Sequence, residues 1–260
     1  MVQFESFGSG SSGNLYYIKS DKGALLIDAG IGIRKMRKYF REYGIKMSDI
    51  KGVLVTHNHM DHVRCLGILN QKDNLPVYMT AKVFDGIKEN PTITKKPLLD
   101  KTTIIEKEKP FELSGFEIHA FEVPHDSKDN VGYFLKNDEI AFCIVTDCGS
   151  WTNDIEKYVS KATYLVLESN YDTKMLEEGP YPKKLKLRIS NSNGHLSNEV
   201  ASTIIQRHQS HLKHIWLCHL SEKNNTPEKA LMSAKGVLCE DKKEIVEALS
   251  RTTPSKLYLL

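Results

Sequence analysis

The sequence predicts an α/β fold: two mixed sheets sandwiched between helices in a single domain spanning residues 1–260. Three observations lead there. Short β-rich runs open the chain and recur throughout it, with helical stretches between them. Several apolar strands are followed at once by a histidine or an aspartate, at the ends where open α/β sheets place their sites. Hydrophobic residues make up 40% and charged residues 27% of the 260, enough for a substantial core in an ordinary globular protein.

The elements follow in order. Val2–Phe7, Leu15–Lys19 and Ala24–Asp28 read as strands, and the cluster GSGSSGN separates the first two as a turn or ligand loop. LLIDAG is a buried strand ending at Asp28, and helix signals run from Gly32 to Tyr43. GVLVTH is an apolar strand ending at His57. A helical stretch near His62–Asn70, a strand at Val77–Thr80 and a helix from Ala81 come next. TTIIE, FELSGFEIHAFEV, VGYFLK and IAFCIVT form a run of strands that ends before Asp147. A helix over 153–160 and the strand TYLVLE follow, and 171–190 reads as polar and irregular with some helical turns. Ser197 can cap a helix to about Gln209, with Glu199 in its first turn. HIWLCH is a strand ending at His219. Thr226-Pro227-Glu228 starts a helix to about Leu238, and Asp241-x-x-Glu244 could box a last one.

The formal net charge of +3 neither demands nor excludes an anionic partner, so any nucleic-acid argument rests on local patches. Five scattered cysteines without C-x-x-C spacing argue against a disulfide framework or a zinc ribbon and fit small buried thiols. No basic n-region or apolar h-region opens the chain, and no apolar run approaches the roughly 20 residues of a membrane span. The expected location is the cytoplasm, with no membrane partner.

THNHMDH, residues 56–62, concentrates three histidines and an aspartate. On extended backbone residues i and i+2 face one side, so His57, His59 and Asp61 can converge while His62 lies off that row. His125, Asp147 and His219 each end a strand or begin a loop. These seven groups suit two divalent ions if one carboxylate bridges. His57, His59 and His125 are assigned to one ion, and Asp61, His62 and His219 to the other, with Asp147 between them. Imidazole-rich shells suit zinc, and manganese or iron can occupy them. Asp28 is placed to orient a ligand histidine from behind. Cys148 and Cys218 adjoin ligands but are not assigned as such, and His119, His208, His211 and His214 are read as structural.

The H-x-H-x-D-H signature followed in order by His125, Asp147 and His219 strongly resembles the metallo-β-lactamase superfamily. That resemblance covers essentially the whole chain and implies a four-layer αββα sandwich with a dinuclear site at one edge. An aspartate at 147, where the secreted antibiotic-degrading members carry cysteine, is similar to the glyoxalase-like, lactonase-like and nuclease-like members. A histidine at 59, where the diiron redox branch usually has glutamate, disfavours redox chemistry. Glu168 at a strand end and His195 in SNGHLSNEVA resemble the nuclease-like branch. There a glutamate orients a histidine that is not a ligand but serves the leaving oxygen. By that resemblance His195, Glu168 and Asp61 are the catalytic groups.

GSGSSGN, VPHD, TDCG, ESNYD and HLSEKNNTPE together look like the YycJ/WalJ group of metallo-hydrolases. That group is associated with 5′-to-3′ exonuclease activity on double-stranded DNA, and DNA is therefore the expected substrate. Asn193 stands where that group is expected to carry arginine, which weakens the transfer of phosphate contacts near it. The stretch KKLKLR offers Lys183, Lys184, Lys186 and Arg188 to a phosphate backbone just before His195. Asn14, in the glycine-rich loop, is the further substrate-binding candidate, while Tyr171 and Tyr181 fit packing better than base stacking. Three other readings stand beside this one. They are a small-molecule hydrolase acting on a thioester, lactone or cyclic phosphodiester, a non-enzymatic metal-binding regulatory module, and RNA in place of DNA.

Overall fold

The computed structural model describes residues 1–260. Two seven-stranded sheets face each other. In the first, β1 (Gln3–Gly8), β2 (Leu15–Ser20) and β3 (Gly23–Ile27) form an antiparallel meander. β4 (Ile50–Leu54), β5 (Val77–Met79) and β6 (Thr102–Ile104) continue it in parallel. In the second, β7 (Phe111–Leu113), β8 (Phe116–Glu122), β9 (Val131–Lys136) and β10 (Ala141–Val145) are antiparallel. β11 (Tyr164–Glu168), β12 (His214–Cys218) and β13 (Val246–Ala248) then follow β10 in parallel. β14 (Tyr258–Leu259) returns to the first sheet beside β1.

Helices cover both outer faces. α1 (Ile33–Glu42), α2 (Met60–Val63), α3 (Leu66–Gln71) and α4 (Ala81–Glu89) connect strands of the first sheet. α5 (Asn153–Val159), α6 (Thr173–Glu178), α7 (Lys183–Ser190), α8 (Asn198–His208) and α9 (Pro227–Gly236) belong to the second half. The buried apolar residues fall into three layers. Phe4, Ile18, Leu25 and Ile27 meet Ile118, Tyr133, Phe142 and Trp216 between the sheets. Ala24 and Leu26 face Met36, Phe40 and Leu69 of the helices on one side. Cys143, Val145, Leu165 and Leu217 face Ile155, Ile204 and Ala230 on the other. A strand covered on both faces reads as an unbroken apolar run, which is why LLI and GVLV carry no alternation. The result is the expected αββα sandwich.

Helix starts follow the capping signals. Ser197 accepts the Val200 N–H and Thr226 accepts the Lys229 N–H, with Pro227 in the first turn. Three expectations need correction. FELSGFEIHAFEV is a hairpin, not one strand: Ser114 and Gly115 both take positive φ (52° and 76°), closing the two-residue turn between Leu113 and Phe116. Residues 171–190 hold α6 and α7. α7 buries none of its residues, so it leaves no apolar stripe to read. Glu240–Ile245 is a 3-10 turn with no side-chain cap, and Asp241 boxes nothing. β13 and β14, three and two residues long, escaped the pattern because so short a segment shows no period. The five cysteines are free, and Cys239, unlike the other four, is exposed. No helix is long and apolar enough to cross a membrane.

Candidate metal centre

The sheets deliver the chemistry-bearing residues to one common edge. Asp28 follows β3, His57 follows β4, Asp147 follows β10, Glu168 ends β11 and His219 follows β12. Asp28, Asp147 and His219 all turn through positive φ (61°, 52° and 52°) directly after their strands. This left-handed step bends the backbone sharply at the sheet edge, a conformation uncommon for side-chain-bearing residues and typical of functional sites.

THNHMDH is extended only as far as His59, at φ −72° and ψ 149°. α2 begins immediately afterwards and carries Asp61 and His62 away in its first turn. The row predicted for His57, His59 and Asp61 therefore stops after two members. Asp61 joins His62 instead, as the two-ion assignment requires.

Of four close groups of ligand atoms, the two without Asp147 are His57, His59 and His125, and Asp61, His62 and His219, each with its members within 4.8 Å of one another. The Asp147 carboxylate reaches both. Oδ1 lies 3.6 Å from His125 Nε2, and Oδ2 lies 3.1 Å from His62 Nε2. Asp61 Oδ2 stands 3.6 Å from His219 Nε2.

The imidazoles are held from behind, as ligand histidines are. His62 Nδ1 donates to Asp28 Oδ2 at 2.7 Å, while Thr56 donates to both Asp28 oxygens. Thr56 Oγ1 also lies 3.0 Å from His57 Nδ1. His125 Nδ1 donates to the Gly194 carbonyl at 2.9 Å, and His219 Nδ1 donates to Glu168 Oε1 at 2.9 Å. Each Nδ1 donor leaves the Nε2 lone pair aimed inward. The Nε2 atoms of His57, His125 and His219 are buried and have no hydrogen-bond partner.

This donor set fits divalent cations. Asp28, Asp147 and Glu168 are buried and Asp61 is largely covered, and no lysine or arginine pairs with any of them. Buried carboxylates at this density need a positive counterpart. Burial alone would depress His219, yet Asp147, Asp61 and Glu168 raise it to about 10. His62 is likewise held well above the imidazole range by Asp147 and Asp28 despite its burial. His57, His59 and His125 are pushed the other way by burial, which favours the neutral, ligating form.

Glu168 organises the other side. Its Oε1 accepts from His195 Nδ1 at 2.8 Å as well as from His219, and its Oε2 accepts the Cys148 and Leu196 N–H groups at 2.9 and 3.0 Å. Burial opposes its charge, but His195 and the two imidazole hydrogen bonds prevail and lower it to about 2. In turn His195 is raised above the usual imidazole value by Glu168 despite burial. Its Nδ1 is committed to Glu168, so Nε2 is the atom available to a substrate.

The substrate-binding candidates separate. Asn14 is fully buried, and this corrects its expected role: its amide lies 2.8 Å from His62 Nε2 and braces Gly10 and the Asp61 carbonyl. Lys183 and Lys184 are exposed on α7, and Lys186 donates to the Glu177 carbonyl. Only Arg188 is seen to reach the mouth of the site, paired with Asp126, whose Oδ1 is 3.4 Å from His125 Nε2. Tyr171 is buried in packing. Cys148 and Cys218 are buried with their thiols raised, and each donates to a carbonyl. His119, His208 and His214 pair with Glu117, Glu156 and Glu247 and belong to neither ligand group. Sequence reasoning left the role of Asp126 open and missed Gly194 and Thr56. For Thr56 the signal was its place directly before the histidine cluster, and for Gly194 its place directly before His195.

A four-layer αββα sandwich with this ligand edge defines a metallo-β-lactamase-fold hydrolase. The family model for the beta-lactamase superfamily domain matches residues 24–219, and the chain belongs to that superfamily. Within it the chain is similar to the YycJ/WalJ group. It is 34% identical over 240 residues to exodeoxyribonuclease YycJ of Bacillus anthracis, covering 92% of this chain and 90% of that one. It is 32% identical over 239 residues to exodeoxyribonuclease WalJ of Streptococcus pneumoniae, covering 92% and 88%. Among solved structures, zinc-bound PqqB from Methylobacterium extorquens shares the fold at a TM-score of 0.74 and 15% identity, covering 98% of this chain and 99% of that one. The protein is a metal-dependent hydrolase acting on ester bonds.

Proposed function

We propose that the protein is a dinuclear phosphodiesterase that degrades double-stranded DNA from the 5′ end, with zinc or manganese as its ions. The observation that carries this reading is the Glu168–His195 pair at 2.8 Å, set beside two ligand groups that share Asp147. An alkoxide leaving group needs a proton, and a histidine that is not itself a ligand supplies one. The names of the relatives, exodeoxyribonucleases at 34% and 32% identity, support the substrate class.

His57, His59 and His125 would hold one ion, Asp61, His62 and His219 the other, with Asp147 between them. Such ions supply Lewis acidity toward phosphoryl oxygens and lower the pKa of water. Glu168 fixes the His195 tautomer and favours its protonated state, so Nε2 can deliver a proton to the leaving oxygen. Asp61, more accessible than Asp28, Asp147 and Glu168, would orient an incoming water. Arg188, at the mouth of the site, would contact the phosphate backbone, with Lys183 and Lys184 exposed beside it on α7.

The test is digestion of end-labelled single- and double-stranded DNA and RNA with zinc or manganese added, at several salt concentrations. Stepwise loss of double-stranded DNA from its 5′ ends, weakening steeply with salt, is the expected result. Hydrolysis of a lactone, thioester or cyclic phosphodiester with no DNA degradation and no salt dependence would replace this reading with a small-molecule one.

A further inference from the structure

The outer face of α4 borders a groove of about 460 Å³ that the mechanism above does not use. Phe84, Ile87 and Lys88, neighbours at helical spacing on α4, form one side. Lys96, Pro97, Leu98 and Leu99, in the segment leading to β6, form the other. Both sides are fixed before any ligand arrives. Gln71 Nε2, at the end of α3, donates to the Lys96 carbonyl at 2.6 Å, and the Leu98 N–H donates to Asn70 Oδ1 at 2.8 Å. The Lys95 carbonyl packs directly on Gly67 of α3, where a Cβ would stand 2.0 Å from its oxygen. α4 is itself seated on the ligand loop: a Cβ on Gly86 would lie 2.7 Å from Cγ of Asn58, the residue between His57 and His59. The helix that backs the metal ligands therefore carries the groove, and the groove shares no residue with the centre.

Two properties of the groove point to one kind of occupant. It is apolar, and Leu98 and Leu99 remain 41% and 63% exposed although the backbone around them is tied down. Large aliphatic side chains held in the open beside a preformed groove mark a contact surface. It is also basic. Lys88, Lys95 and Lys96 have no carboxylate partner, and Lys96 Nζ donates to the Lys88 carbonyl instead. Of the acids nearby in sequence, Asp85, Glu89 and Asp100, none lines the groove, and Glu89 is taken by Lys128. An apolar floor with an unneutralised cationic rim fits a chain that carries apolar side chains among carboxylates. A phosphate backbone would match the lysines but leave the leucines uncovered. Bases stack on aromatic rings, and the groove offers only Phe84.

We propose that this groove docks an acidic peptide segment of a partner protein. The segment inserts one or two apolar side chains between α4 and residues 94–99 and sets its carboxylates on Lys88, Lys95 and Lys96. The volume suits such anchors. Their burial supplies most of the affinity, while the exposed ion pairs chiefly set partner choice. A protein docked there is held beside the metal edge and leaves the centre open, whichever ester is hydrolysed.

The test uses the full-length, metal-loaded protein. A phage-displayed library of random linear peptides is selected on the wild type, and the enriched sequences are synthesised with a fluorescent label and titrated by anisotropy. Enriched peptides should combine aspartate or glutamate with leucine, isoleucine or phenylalanine, and should bind more weakly as salt rises. Leu99→Asp and Lys88→Glu, both at exposed positions, should each weaken them at least about tenfold, and Lys88→Arg should retain binding. Metal content and hydrolysis of bis-p-nitrophenyl phosphate should stay at wild-type levels in all three variants, which also verifies that they fold. Failure to enrich any acidic apolar peptide, or equal binding by the wild type, Leu99→Asp and Lys88→Glu, overturns the proposal. So does a loss of duplex DNA affinity in Lys88→Glu with peptide affinity unchanged, which would assign the lysines to nucleic acid.

Discussion

His195 and His219 donate through Nδ1 to the same atom, Glu168 Oε1, at 2.8 and 2.9 Å. One buried carboxylate thus positions both a candidate ligand and a candidate proton donor. The two roles separate by mutation. His195→Ala should lower kcat on a phosphodiester by about 10²–10⁴-fold with metal content unchanged. Glu168→Gln should lower kcat and also weaken metal binding by about 10–100-fold, read by metal analysis alongside steady-state kinetics. Metal lost from His195→Ala would contradict this division.

Asp147 is shared between the two ligand groups, so its removal affects both. Asp147→Ala and His59→Ala should abolish hydrolysis of bis-p-nitrophenyl phosphate. Asp147→Ala should also lose more metal per chain than His59→Ala, because His59 belongs to one group only. Equal metal content in the two variants would count against a bridging position.

Arg188 is anchored at the mouth through Asp126, whereas Lys186 is turned toward the Glu177 carbonyl. Arg188→Ala should therefore weaken DNA binding more than Lys186→Ala. It should also lower the slope of log affinity against log salt by about one contact. Affinity measured by fluorescence anisotropy across a salt series decides this.

Glu5 offers a pH test away from the metal centre. It lies on the same face of β1 as Phe7, buried, with Oε1 unpartnered, and burial raises it to about 7. Between the usual carboxylate value and 7 the folded chain holds a proton that the unfolded chain has lost. Stability therefore falls as pH rises through that window, by up to about 3 kcal/mol. Glu5→Gln should raise Tm at pH 8 and leave it little changed at pH 4.5.

Gly194 tests how tightly α7 is joined to the centre, with Gly236 as the contrast. A Cβ on Gly194 would stand 2.1 Å from the Ile189 carbonyl oxygen and 2.4 Å from that of Arg188, at the end of α7. The same residue's carbonyl orients His125. Gly194→Ala should cost more than about 2 kcal/mol by strain and reduce metal affinity. Gly236→Ala, on α9 with nothing within 4 Å, should be neutral or stabilising by up to about 1 kcal/mol. Denaturant titration compares them.

Much of the protein is set by local chemistry along the chain. LLI and GVLV are strands because they are short apolar runs containing β-branched Ile27, Val53 and Val55, and Ser197 and Thr226 cap helices because their hydroxyls reach the third N–H onward. Strand ends carrying His57, His125, Asp147, Glu168 and His219, and His195 just before α8, mark the site, since such residues have no packing reason to gather there. Tertiary structure decided what depends on distance. Asp61 leaves the row of His57 and His59 because α2 turns at that point. Asn14 is an internal brace because the glycine-rich loop folds under His62. Arg188 meets Asp126 across 62 residues of sequence. Hydrophobic period and capping act within a few residues, whereas which side chains share an edge is settled only when the two sheets pack.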